Sequence, residues 1–160
     1  MGQVSKGAER EIVSGSHLPF LKRKRHIGLR VEDLMTAPPI TMNRDEPIEK
    51  AAQLMYENRI GSVLVVDEEG KLVGIVTERD MIYAVVSGKV GKKLPVWEIM
   101  TENPITTTPD ELLVDAIEKM KDAKIRHLPV VNEEGKPVGI LSMRDVLDYL
   151  LTIFHIAMKE

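Results

Sequence analysis

The sequence predicts an α/β (α+β) fold, two tandem β-α-β-β-α repeats packed with pseudo-twofold symmetry and carrying helices on one face of each small sheet. Three observations lead there. The chain repeats itself at an offset of 65 residues without a gap, and about 22 of the 50 positions from 31 to 80 are identical to their partners. Each copy combines helix-period stretches with two short β-rich runs. Neither copy has strands enough to close a sheet or cover both faces, so the apolar faces of the two copies are expected to cover each other.

The order of elements follows from local chemistry. Residues 1–26 form a basic lead, read as a tail or arm, and 27–90 and 91–160 are the two repeats. Each repeat opens with a matching phrase, Val31-Glu-Asp-Leu-Met-Thr-Ala-Pro-Pro-Ile-Thr41 against Val96-Trp-Glu-Ile-Met-Thr-Glu-Asn-Pro-Ile-Thr106. The Pro-Ile-Thr ends, 39–41 and 104–106, read as short strands. Asn43 and Thr108 are each followed three residues later by Glu46 or Glu111, which predicts a capping box, with Pro109 at the first helical position. Leu113, Ala116, Ile117, Met120 and Ala123 then mark one buried helical stripe, as Ile48, Ala51, Ala52 and Met55 do in the first copy. Runs Ser62–Val66 and Leu72–Val76 flank the turn Asp67-Glu-Glu-Gly70, which makes a hairpin. His127–Val131 and Pro137–Leu141 repeat it around Asn132-Glu-Glu-Gly135. A second helix starts at Thr77 and again at Ser142. Two Gly, three Lys and a Pro make Ser87–Pro95 the linker.

Composition narrows the function classes. With 160 residues and no cysteine, disulfides, thiolate nucleophiles and Cys-based zinc sites are excluded. No apolar run reaches bilayer length and Met1 to Arg10 lack a secretory stretch, so a cytoplasmic protein with no membrane partner is expected. The histidines at 17, 26, 127 and 155 have no metal-ligand spacing. The methionines read as core filler, and Trp97 as packed. The net charge of −3 divides into +5 over residues 1–30, where seven Lys and Arg face two Glu, and −8 over the rest. Lys22-Arg-Lys-Arg25 and His26 are dense enough to contact phosphates, although only Phe20 stands nearby for base stacking.

The junction of third strand and second helix carries the most information: Gly74-Ile-Val-Thr-Glu-Arg-Asp80 and Gly139-Ile-Leu-Ser-Met-Arg-Asp145. Thr77 with Asp80, and Ser142 with Asp145, suit a capping box that needs no ligand. The same groups suit a bound sugar-phosphate. A helix N-terminus attracts phosphate, a hydroxyl donates to it, and an ionised Asp accepts from a pair of ribose hydroxyls. The preceding glycine lets the backbone run close to a bound group.

The Leu34-Met-Thr and Ile99-Met-Thr openings, the Pro-Ile-Thr segments and the two Gly-Ile-x-[Thr/Ser]-x-x-Asp junctions together resemble the cystathionine β-synthase (CBS) domain family over roughly residues 30 to 155, and the tandem pair resembles a Bateman module. The resemblance implies clefts between the repeats that bind an adenosine derivative, usually AMP, ADP or ATP and sometimes S-adenosylmethionine, as a regulatory ligand and not a catalytic cofactor. It places Asp80 and Asp145 on ribose, Thr77 and Ser142 on phosphates, and Thr41 and Thr106 on the adenine side, with Ile40, Ile105, Ile75 and Ile140 as apolar walls. It also brings basic residues to the strand start, where the second copy has Arg126 and His127 and the first has Gly61 and Ser62. Arg126 offers a planar fork of donors, or is a solvated edge charge; His127 donates to phosphate, or is a satisfied, half-buried residue. The clefts are therefore expected to be unequal.

The final helix is apolar on several sides through Leu147, Leu150, Leu151, Ile153, Phe154, Ile156 and Ala157, which predicts contact with another chain and a homodimer. The leading expectation is a ligand sensor that acts on an unidentified protein partner. A nucleic-acid-associated dimer using the basic lead and an S-adenosylmethionine sensor are the alternatives. An enzyme is not expected, because no nucleophile–base pair or metal cluster can be read from the sequence.

Overall fold

The structure, a computed structural model, describes residues 28–159; the basic lead lies outside the described residues. Among the described residues there are six strands: β1 (Thr41–Asn43), β2 (Ser62–Val66), β3 (Leu72–Thr77), β4 (Thr101–Glu102), β5 (His127–Val131) and β6 (Pro137–Ser142). Four α-helices accompany them: α1 (Ile48–Asn58), α2 (Glu78–Val86), α3 (Leu113–Ala123) and α4 (Met143–Met158). The hairpins stand where the turn residues put them. Gly70 and Gly135 adopt φ of 81° and 78°. The side chains of Asp67 and Asn132 each accept from the backbone N–H groups two and four residues on.

The two copies exchange their openings. β1, β2 and β3 belong to the first repeat, but β4, which completes their sheet, comes from the second and pairs antiparallel to β3 through Ile75 and Thr101. The related exchange brings Thr36 of the first opening beside Ile140 of β6, with N–H···O distances of 2.9 and 3.0 Å. A second crossing joins Val31 N–H to the Glu111 carbonyl (3.0 Å) and Leu113 N–H to that of Leu29 (2.8 Å). Val96 N–H donates likewise to Glu46 (2.8 Å) and Ile48 N–H to Leu94 (2.9 Å).

The core follows this exchange. One cluster packs Ile48, Ala51 and Met55 of α1 on Val63, Val65 and Val76, and is closed by Val96 and Ile99 from the other copy. Its counterpart packs Leu113, Ala116 and Met120 on Leu128, Val130 and Leu141, and is closed by Val31. Val31 and Val96 are wholly buried, and burial of one such side chain contributes about 1.5–3 kcal/mol. Because side chains alternate along a strand, Val63 and Val65 face the core while Leu64 faces the other way, toward a cleft between the copies.

Several local expectations are corrected. Asn43 and Thr108 do not cap α1 and α3, and Pro109 is not a first helical residue; the helices start at Ile48 and Leu113, with Pro47 and Leu112 at their N-caps. Residues 44–47 and 109–112 are used in the crossings instead, which leave no helical turn there. Glu46 still bonds back to Asn43 N–H at 2.9 Å, and Glu111 bonds to the Thr107 hydroxyl, as turns ahead of the helices. The opening strand begins only at Thr41 in the first copy. In the second it shrinks to one parallel bridge, Thr107 to Val130. Trp97 sits on a 3₁₀ turn and is 41% exposed.

Gly74 and Gly139 also have a different duty from the one expected. A Cβ on Gly139 would lie 2.6 Å from Met35 Sδ and 3.1 Å from both its Cγ and the Thr36 carbonyl. Met100 and Thr101 crowd Gly74 in the same way. These glycines admit the exchanged Met-Thr openings of the chain itself. Gly139→Ala is therefore expected to destabilise the fold by about 1–3 kcal/mol, seen as a lower urea midpoint, and Met35→Ala in the same chain should recover part of the loss. An unchanged midpoint in the single variant would show that the opening is not held this closely.

Candidate functional site

The exchange creates a cleft of about 380 Å³ lined from both copies, within the size range of small-molecule sites. One wall is Pro38, Pro39 and Ile40 together with Arg59 to Ser62, where α1 hands over to β2. The opposite wall is Ile140, Ser142, Arg144, Asp145 and Asp148, where β6 runs into α4. Thr36, Leu64 and His127 complete the lining. Ile40 and Ile140 supply apolar surface from opposite sides, as the resemblance to the family implies.

At the β6–α4 junction the Ser142 hydroxyl accepts from Asp145 N–H at 3.1 Å and caps α4. The Asp145 carboxylate does not return that bond. Among the described residues its side chain has one hydrogen-bond partner, the Thr36 hydroxyl at 3.4 Å. Most of its acceptor capacity is thus turned to the cleft. The β3–α2 junction has the same sequence pattern and a different geometry. Asp80 Oδ2 accepts from Thr77 N–H at 2.8 Å and from the Thr77 hydroxyl at 3.2 Å. Both bonds fall on the same oxygen, at the carboxylate's own helix end.

His127 stands at the start of β5, opposite Ser142 in the hairpin register. Its ring lies against Gly61, where a Cβ would meet Nε2 at 3.0 Å. Burial pushes its pKa below the ordinary 6.5; Glu78 pulls the other way, Arg126 adds to the lowering, and Asp145 opposes it. The ring is therefore neutral at pH 7, able to donate from one nitrogen only.

Of the sequence-derived candidates, the cleft brings together His127, Ser142 and Asp145. Thr77 and Asp80 pair with each other at the related junction. Thr41 is exposed in β1 opposite Leu64. Thr106 precedes the bridging Thr107, and its carbonyl accepts from Lys119 at 3.4 Å. Arg126 is exposed beside His127. None of Thr41, Thr106 and Arg126 lines this cleft. The cleft combines the strand start of the first copy, with Gly61, and the junction of the second; Gly61 is the repeat counterpart of Arg126. Sequence reasoning passed over Thr36, Arg59 and Asp148. Thr36 had a signal in the repeated Met-Thr opening; Arg59 had none without the exchange.

A model of the CBS domain matches twice, at residues 31–87 and 96–152. An uncharacterised protein of Methanopyrus kandleri is 38% identical over 121 residues, covering 71% of this chain and 62% of its own length, so the chain spans less than two thirds of that relative. Among solved structures, a CBS domain pair in complex with 5′-methylthioadenosine and S-adenosyl-L-methionine is similar at 34% identity and a TM-score of 0.71, covering 77% of this chain and 96% of that one. A CBS domain protein of Pyrobaculum aerophilum complexed with AMP is 32% identical with a TM-score of 0.67, over 73% of this chain and 89% of that one.

The lowered pKa of His127 makes stability depend on pH. The unfolded chain takes up a proton near 6.5, while the folded chain resists until lower pH. The contribution of the neutral ring is therefore present above 6.5 and is lost as the pH falls through the folded value. Thermal melts between neutral and mildly acidic pH should show a steeper acid loss for the native chain than for His127→Gln. Parallel curves would mean the ring is not held neutral.

Proposed function

The chain belongs to the CBS domain family, and on that premise we propose that it is a regulatory module which binds an adenine nucleotide, AMP, ADP or ATP, in the cleft between its repeats and passes the occupied state to a partner protein. The observation that carries this reading is the Asp145 carboxylate. It faces the cleft almost unpartnered beside the α4 N-terminus, with acceptors to offer a ribose diol and a capped helix end to offer a phosphate. Ser142 and Thr36 supply hydroxyls at the same mouth. AMP in one similar structure and adenosine-based ligands in the other support the class of ligand. Both comparisons are with CBS structures solved together with a bound small molecule, which supports a binding role.

The two junctions are not equivalent in this reading. Asp80 is drawn to its own helix end through one oxygen, whereas Asp145 lines the cleft, so the Asp145 cleft is the principal site in this reading. Signal output follows from linkage: a nucleotide that fits one relative placement of the repeats better than another shifts the population toward it. The cleft is built from both copies, so its ligand bears directly on their placement.

A homodimer belongs to the same proposal. Ile82, Val85 and Val86 on α2, and Leu147, Leu151 and Phe154 on α4, are exposed apolar side chains on helices related by the internal repeat. Leu151 and Phe154 are 56% and 62% exposed in the single chain, more apolar surface than an isolated helix face needs. A second copy of the chain is the occupant proposed.

Three outcomes test these statements. Saturating AMP should raise the melting temperature, by the equivalent of about 2.7 kcal/mol at 100 times its Kd, and Asp145→Ala should remove most of that rise. Asp80→Ala should lower ligand-free stability by about 0.5–2 kcal/mol through loss of the cap and keep the response to AMP. Absence of any shift with millimolar AMP, ADP or ATP would defeat the reading. Leu151→Glu combined with Phe154→Glu should convert a dimer to a monomer in light scattering, and a native chain that is already monomeric would dispose of the dimer.

A further inference from the structure

We propose that the basic lead docks on its own chain, with Ile27 over Val114 and Lys22-Arg-Lys-Arg25 along an acidic face of α3. Its cations are then committed to the body of the protein and not to a nucleic acid.

The internal repeat shows the path. Leu29 and Leu94 are counterparts at the offset of 65. Each gives its carbonyl to the first residue of a helix, Leu113 of α3 at 2.8 Å and Ile48 of α1 at 2.9 Å. Ahead of Leu94 the linker passes the first turn of α1, where Gly91 N–H donates to Glu49 Oε1 at 2.6 Å. Ahead of Leu29 the chain sets out in the same way. Gly28 packs so closely on Leu112 that a Cβ would lie 2.9 Å from its Cδ2. The pairing of Arg30 with Leu112 is antiparallel, so the chain traced back from Leu29 heads the way α3 runs.

Both sides of this crossing have changed character together between the copies. The first copy carries charge on each side, Glu49 on the helix and Lys92 in the linker; the second has Val114 and Ile27 at the corresponding positions. Val114 is 58% exposed, and an apolar residue of the lead is what would cover it. Further along α3, Asp115, Glu118 and Asp122 are exposed and share one face by their spacing of three and four. Their counterparts on α1 are Lys50, Gln53 and Glu57, which carry no net charge. Lys119, on the flank of the acidic face, is held by Glu111 at 2.9 Å. The approaching segments differ in the complementary sense. Lys22-Arg-Lys-Arg25 stands where the linker has Ser87-Gly-Lys-Val90, and Lys89 is drawn away by the Ala84 carbonyl and Glu98. The lead is long enough to follow the face to its end. Asp122 lies about 15 Å along the helix axis from Leu112, and the stretch from Gly28 back to Lys22 spans about 20 Å when extended.

Two measurements on the full chain test the docking. Limited trypsin digestion compares cutting at Lys22–Arg25 with cutting at Lys92 and Lys93 in the linker of the same molecule. Asp115→Asn, Glu118→Gln and Asp122→Asn combined should raise the lead-to-linker ratio about tenfold, the effect of a few surface ion pairs. High salt should bring the native chain toward the variant, and melts check that the variant is folded. The chain has no cysteine, so a single introduced pair reports proximity. Lys24→Cys with Glu118→Cys should close a disulfide within one chain about tenfold faster than Lys24→Cys with Glu57→Cys on α1. Equal closure of the two pairs, or equal trypsin ratios in native and variant chains, would overturn the docking. A disulfide that joins two chains would give the face to a second copy's lead and overturn docking within the chain. A native lead that is cut as fast as the variant's and holds the protein on heparin would assign the cations to a polyanion instead.

Discussion

The rest of the molecule depends on the exchange of openings between the two repeats. Val31 closes the core of the second copy and Val96 that of the first, while Thr36 and Thr101 add a rung to each other's hairpins. A repeat of about 60 residues is marginal on its own. Exchange solves this by making each copy part of the other's interior. The cost is borne by glycine: Gly74 and Gly139 must lack a side chain where the Met-Thr segments pass. The same exchange draws the Pro38–Ile40 stretch across to the β6–α4 junction and leaves the cleft between them. Core and cleft are thus two faces of one arrangement, with Val63 and Val65 on one side of β2 and Leu64 on the other.

Within that arrangement, two copies of one sequence pattern have parted ways. Thr77 and Asp80 close on each other, whereas Ser142 caps α4 and leaves Asp145 directed at the cleft. A hydroxyl followed three residues later by a carboxylate can finish a helix end, and the donors and acceptors left over are what a ligand could use. The surroundings separate the two copies. Asp145 has Thr36 within reach, and His127 stands beside it where the first copy has only Ser62.

Much of the fold was legible because it is written in local patterns. The strands 62–66 and 127–131 followed from β-branched runs, the hairpins from Asp-Glu-Glu-Gly and Asn-Glu-Glu-Gly, and the helical stripes from apolar spacing. What misled was also local. Asn43 with Glu46 carries the signature of a helix cap, but the backbone there was claimed by a pairing with residues 94–97 from the other half, and no window of a few residues reveals a partner some fifty positions away. The site shows the same limit. Ser142 and Asp145 were candidates from their own motif and His127 from the family resemblance, while Arg59 could be seen to line the cleft only once the first copy's strand start was found to face the second copy's junction. Arg126, a candidate only through the family resemblance, is exposed and does not line this cleft.

The crossed openings also bear on how such a chain can be inherited. Half of it, cut at the linker, would carry the segment that completes its sister's interior and lack the one that completes its own. Natural recombination therefore has to transplant both halves together, and each half, once joined in a single polypeptide, is free to diverge in its binding residues as long as the pieces it lends to its sister keep their shape. Duplication here produced a cassette whose halves complete each other's interiors while the junctions at their two mouths already differ.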